Sequence, residues 1–180
     1  MAEPLSSEAN LLGALALVLT DRMAEAAAAE AGEAGAAAAA LSSLYHFLDR
    51  PTLDTLRRVL GLTHSGAVRL VNRLEAQGLV TRGPGEDGRS RAVTLTPAGR
   101  QAAARVDAAR SAVLERALDR LPPDQRAVLH GLLGQVMTAV VRDKDGGAWI
   151  CRLCDLGACG RDQGRCPTAN AAAAKYGPPA

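Results

Sequence analysis

Leu62-Thr63-His64-Ser65-Gly66-Ala67-Val68-Arg69-Leu70-Val71-Asn72-Arg73-Leu74-Glu75-Ala76-Gln77-Gly78-Leu79-Val80 is the stretch on which the fold turns. Thr63 offers a side-chain oxygen for an N-cap and Gly78 is a stop, so the pattern predicts a helix over Thr63–Gln77. At helical spacing Ala67, Leu70, Val71 and Leu74 share one side, suited to packing. Ser65, Arg69, Asn72 and Arg73 lie opposite, with Val68 on the flank, His64 near the first turn and no acid before Glu75. Such a face suits the DNA major groove, where Arg pairs with guanine, Asn with adenine, and Val touches a thymine methyl. Gly66 costs about 1 kcal/mol in a helix relative to Ala. Close approach to a DNA backbone and dense packing on the neighbouring helix explain it equally well.

Outward from this helix the punctuation is regular. Upstream, Pro51 precedes Thr52–Leu60, in which Leu53, Leu56 and Leu60 share a face, and Gly61 ends the segment. Two short helices about a tight glycine turn are what a helix-turn-helix requires. Downstream, Leu79–Arg82 and Arg91–Leu95 have strand character, with a Gly/Pro-rich loop over 83–90 between them. A hairpin in this place is a wing, and its Arg82, Arg89 and Arg91 suit the negative minor groove. Asp87 would repel phosphate, so its expected task is to orient Arg89. Thr96-Pro97 then reads as an N-cap followed by Pro at the first helical position, opening a helix to about Leu121. Pro122 and Pro123 break it, and a last helix covers about Asp124–Arg142. On the N-terminal side, Leu5–Ala31 and Ala36–Leu48 read as helices. Leu11, Leu12, Leu15, Val18 and Leu19 line one side of the first, and Leu41, Leu44, Tyr45 and Leu48 have helical spacing in the second. The alanine tracts are read as helix rather than as low complexity, because alanine is the best helix former.

Composition agrees. Only four of the 180 residues are aromatic, so the core must be built from Leu, Val and Ala, which favours close-packed helices. Residues 1–49 carry one Arg against seven acids, whereas residues 50–120 carry thirteen Arg against seven acids. The basic charge therefore sits on the helix-turn-helix, although part of it is accounted for by ordinary solvated helices. No segment reaches the roughly 18 apolar residues of a membrane span. Glu3 and Glu8 stand where a signal peptide would be positive, so a cytoplasmic protein without membrane contact is expected. No nucleophile–base pair, phosphate loop or carboxylate pair is present, and an enzyme is not expected.

The run 62–80, with the wing Asp87-Gly88-Arg89-Ser90-Arg91 and its exit Val93-Thr94-Leu95-Thr96-Pro97-Ala98-Gly99, resembles the MarR family of regulators. The specific motifs lie in 62–99, and the architecture extends over 5–145. The resemblance implies a mainly α fold with a small β-wing: a winged helix-turn-helix flanked by long dimerisation helices. Residues 5–49 and 101–145 would then form the dimerisation helices about a DNA-binding domain at 50–100, with a cysteine-rich tail at 146–180. It implies a homodimeric repressor on a pseudo-palindromic operator in double-stranded DNA, released by a small molecule or an oxidant. Thr63, His64, Ser65, Val68, Arg69, Asn72, Arg73, Arg82, Asp87, Arg89 and Arg91 are the candidate DNA-binding residues. A winged helix that binds a protein partner instead of DNA is the alternative.

All four cysteines fall within sixteen residues, Cys151, Cys154, Cys159 and Cys166, spaced C-x2-C-x4-C-x6-C. Four thiolates can surround one zinc ion, which is the leading reading. An iron–sulfur cluster and a metal-free thiol switch remain open. His46, His64 and His130 are expected to be packing, DNA-facing or surface residues rather than ligands.

Overall fold

The structure, a computed structural model, describes residues 5–31, 35–85, 90–141 and 150–177. Helices α1 (Ser7–Ala31) and α2 (Ala36–His46) lead to the helix-turn-helix, α3 (Leu53–Leu60) and α4 (His64–Ala76). Strands β1 (Val80–Pro84) and β2 (Arg91–Leu95) form the wing, and α5 (Pro97–Leu118) and α6 (Pro123–Val140) follow. The chain is thus mainly helical with one small antiparallel sheet, the winged-helix architecture expected. The tail adds α7 (Leu156–Cys159), a 3-10 turn (Arg161–Gln163) and α8 (Pro167–Tyr176), helices that the tail's glycine and cysteine content did not suggest.

Threonine caps set the helix starts. Thr52, Thr63 and Thr96 each have extended backbone, and their side chains accept from the N–H of Thr55, Gly66 and Gly99. Each satisfies a donor that the first turn leaves without a partner. Gly61 closes α3 at φ 65°, a left-handed conformation that costs glycine little, and this makes the turn of the motif tight.

The alanine tract of α2 is the centre of the molecule. Ala37, Ala38, Ala39, Ala40 and Leu41 are buried with Leu56, Leu70, Val71, Leu74, Val80, Val93, Ala103 and Val106 in one cluster. Small side chains let α2 lie close to α5, which α1 also packs along. Two hydrogen bonds fix the α2–α5 contact: Ser42 Oγ donates to Asp107 Oδ1 at 3.0 Å, and His46 Nε2 pairs with Asp107 Oδ2 at 2.6 Å. His46 is therefore a packing residue, as expected. Because Ser42 is only 1% exposed, Asp107→Ala leaves a buried hydroxyl without that partner. The expected cost is about 1–3 kcal/mol, read as a lower urea midpoint at unchanged slope.

The wing pairs Val80 with Leu95 through to Pro84 with Arg91. Its first strand runs two residues beyond the expected Arg82. Gly83 and Pro84 read as loop residues by type, but the register holds them opposite Ala92 and Arg91. Pro84 is tolerated because it ends the strand, where a missing N–H is cheap. Across the base of the sheet, the Val93 N–H donates to the Pro51 carbonyl at 2.9 Å, tying the wing to the start of α3. Elsewhere the expected and observed ends differ by a few residues: α2 stops at His46 rather than Leu48, and α5 at Leu118 rather than Leu121.

Candidate nucleic-acid interface

Helix α4 buries Ala67, Leu70, Val71 and Leu74. The 3.6-residue period then leaves Ser65, Arg69, Asn72 and Arg73 exposed on its outer face, with Thr63 and His64 exposed at its N-terminal end and Val68 half-buried. The sequence-predicted reading face is thus brought together on one helix. Gly66 has a local reason that neither expectation named. A Cβ there would lie 3.1 Å from Thr63 Oγ1, so the glycine leaves room for the cap.

Arg82 departs from expectation. Its Nη2 donates to Asn72 Oδ1 at 2.5 Å and its Nη1 meets Glu75 at 3.1 Å. Rather than lying toward the wing tip, it braces the base of the wing against α4. The brace fixes Asn72's oxygen and leaves its amide N–H groups as donors. Arg91 is exposed at the start of β2. Asp87 and Arg89, with the orienting task expected of Asp87, lie outside the described residues.

Arg50 was missed. Its Nη2 donates to the Pro84 carbonyl at 2.8 Å, which fastens the wing's far end to the chain before α3. The residue adopts φ 44°, unfavourable for a side chain with a Cβ. Only an arginine beside Pro51 hinted at it. Conversely, Arg57 and Arg58 pair with Asp54 at 2.8 and 3.3 Å, and the Arg57 hydrogen bond holds the Asp54 carboxyl below its usual range. These two arginines belong to the solvated share of the basic charge.

Residues 34–90 match the family model described as "MarR family". Over those residues, which take in α2, the helix-turn-helix and the first strand of the wing, the chain is similar to that family. Among solved structures, a MarR-family transcriptional regulator from Silicibacter pomeroyi is 25% identical, with 74% of this chain and 90% of that one covered at a TM-score of 0.57. The MarR-family protein Rv2887 of Mycobacterium tuberculosis, in complex with p-aminosalicylic acid, is 27% identical over 74% of this chain and 98% of its own, at 0.56. A mutant MepR of Staphylococcus aureus bound to an oligodeoxyribonucleotide shares the fold at 14% identity, covering 76% and 99%, at 0.57. No curated protein matches the chain.

The MarR-family match ends at residue 90 and leaves the cysteine segment outside it. There the structure sets Cys151 beside Cys154 and Cys159 beside Cys166. Arg161 Nη1 donates to Cys151 Sγ at 3.1 Å. The neighbouring Cys154, with Arg161, draws the Cys151 thiol down to about 6, whereas Cys151 and burial push Cys154 up. Among the described residues, no three His, Cys, Asp or Glu side chains stand as the ligands of one metal. Nor does any of the three histidines join the thiols.

Proposed function

We propose that this protein is a homodimeric, sequence-specific DNA-binding repressor without enzymatic activity, acting in the cytoplasm. The observation that carries the reading is the outer face of α4. Ser65, Arg69, Asn72 and Arg73 stand exposed in a row while Arg82 locks that helix to the wing. Helix and wing then present to a duplex as one rigid surface, and Thr63, His64, Val68 and Arg91 border it. A relative of the same fold is bound to an oligodeoxyribonucleotide. Among the described residues no helix is long and apolar enough to cross a membrane.

The dimer rests on a second observation. Leu11, Leu15 and Val18 of α1 and Val128, Leu132 and Val136 of α6 are exposed, and α6 buries no residue in the single chain. Apolar faces of this size on two long helices mark a protein–protein contact, and a second copy would place two α4 helices on the halves of a pseudo-palindrome. Leu132→Asp is expected to convert the dimer to monomer in light scattering, and to abolish tight operator binding with it. A small-molecule effector fits the junction of the two lobes. A cavity of about 270 Å³ lies there, lined by Leu44, Tyr45, Leu48 and Arg100 among others, and the Mycobacterium relative is complexed with an aromatic acid.

The test is selection of duplexes from a random pool, followed by titration at several salt concentrations. Recovery of a two-fold symmetric site with a steep salt dependence supports the proposal. Retention of no sequence above the bulk pool would instead favour a protein-docking module.

A further inference from the structure

We infer that Cys151, Cys154, Cys159 and Cys166 together hold one thiophilic divalent ion of the zinc class, which fastens the C-terminal segment between α2 and α6. The inference stands apart from the reading of α4 as a DNA-binding helix.

The segment is docked at both of its ends. At the first, Ser43 Oγ donates to the Arg152 carbonyl at 3.2 Å across 109 residues of sequence. Leu153, between the first two cysteines, packs against the main core. At the second, Cys166 is the residue that opens α8, and α8 lies along α6, where Pro167 sits against Gly134. One thiol pair thus belongs to the α2 anchor, and the other includes the start of the α6 anchor.

Little else holds the middle. Over 150–177 no Leu, Ile or Val is fully buried; the buried residues are Cys151, Gly160, Cys166, Thr168 and Ala172. So short a segment without an apolar core depends on a cross-link or a metal. Disulfides within the observed pairs would close only short loops and would not join one pair to the other. A single ion shared by all four thiols would join them. Binding requires the two pairs to draw in together.

The surroundings are cationic in the way such a site needs. A divalent ion with four thiolates carries a net charge of −2, the four thiol protons passing to solvent. Arg161 donates to Cys151. Arg165 lies over Gly160, where a Cβ would come within 2.7 Å of its Nε. Arg110 of α5 lines one cavity with Arg152 and Leu153, and its Nε is buried with no hydrogen-bond partner. Donors directed at ligand sulfur tune the ion's affinity.

The test is elemental analysis of the full chain purified without added metal, together with reconstitution by cobalt(II). About one zinc per chain, and cobalt spectra with intense thiolate charge-transfer and tetrahedral d–d bands, are expected. Limited proteolysis should cut within 150–177 only after chelation. Cys159→Ser should lose the stoichiometric zinc, and Arg161→Ala should weaken zinc affinity roughly ten- to a hundredfold. Because the cobalt spectrum is read on the wild-type chain, a variant that fails to fold does not decide the matter. Four freely titrating thiols in the presence of added zinc, or full zinc retention in Cys159→Ser, would overturn the inference. Iron with inorganic sulfide would replace it with a cluster.

Discussion

Gly99→Ala is expected to destabilise the protein by about 3 kcal/mol or more, above the usual cost of overpacking. A Cβ at this position would lie 1.8 Å from the Leu79 carbonyl oxygen, 2.9 Å from its carbon and 3.2 Å from Leu95 Cδ2. Two of those three atoms are backbone and cannot step aside by changing rotamer. The Leu79 oxygen is also held in place, because the Thr96 N–H donates to it at 3.0 Å. Relief would require α5 to lift away from the start of β1. That motion breaks the Thr96 cap, whose side chain accepts from Gly99 N–H at 3.0 Å, and opens the core around Val80 and Leu95. The measurement is urea unfolding of wild type and variant at equal slope. Stability within about 0.5 kcal/mol of wild type would show that the wing and α5 are not in this contact.

Arg69→Ala and Arg73→Ala are the second expectation. Each should weaken operator binding by about 1–3 kcal/mol, roughly ten- to a hundredfold, while leaving the fold intact. Both side chains are exposed on α4, and neither lies on the face that packs. An arginine on a base edge and one on a phosphate part ways in the data. The first relaxes specificity at one base pair; the second weakens all sequences alike and lowers the salt slope by about one. Arg82→Ala is the instructive companion. It removes the brace to Asn72 and Glu75, so a loss of affinity concentrated at one base pair is expected. Unchanged affinity in both the Arg69 and Arg73 variants would remove the outer face of α4 as the DNA contact.

Much of this architecture is legible locally. The caps at Thr52, Thr63 and Thr96 act on N–H groups three residues away, and a hydroxyl before an apolar period is visible in any window that contains both. The apolar row Ala67, Leu70, Val71 and Leu74 fixes which face of α4 is buried, and so leaves Ser65, Arg69, Asn72 and Arg73 outside. The alanine tract shows its helix but not its place. That Ala37–Ala40 form the centre of the core follows from the closeness of α2 to α5, which no local pattern states.

The sequence by itself therefore determined the helix-turn-helix, the hairpin, the exposed face of α4 and the grouping of four cysteines, because each depends on neighbours within a few residues or on residue type alone. Tertiary structure alone decided which polar groups are already committed. Arg82 meets Asn72 across the wing, Arg50 reaches Pro84, Ser43 holds Arg152, and Gly99 must be bare because Leu79 passes over it. The same is true of the cysteine segment, whose first part docks on α2 and whose last helix lies along α6. The physical reason is common to all of these. A contact between distant residues depends on the path of the chain between them, and that path is set by the packing of α1, α2 and α5 rather than by the residues that finally meet.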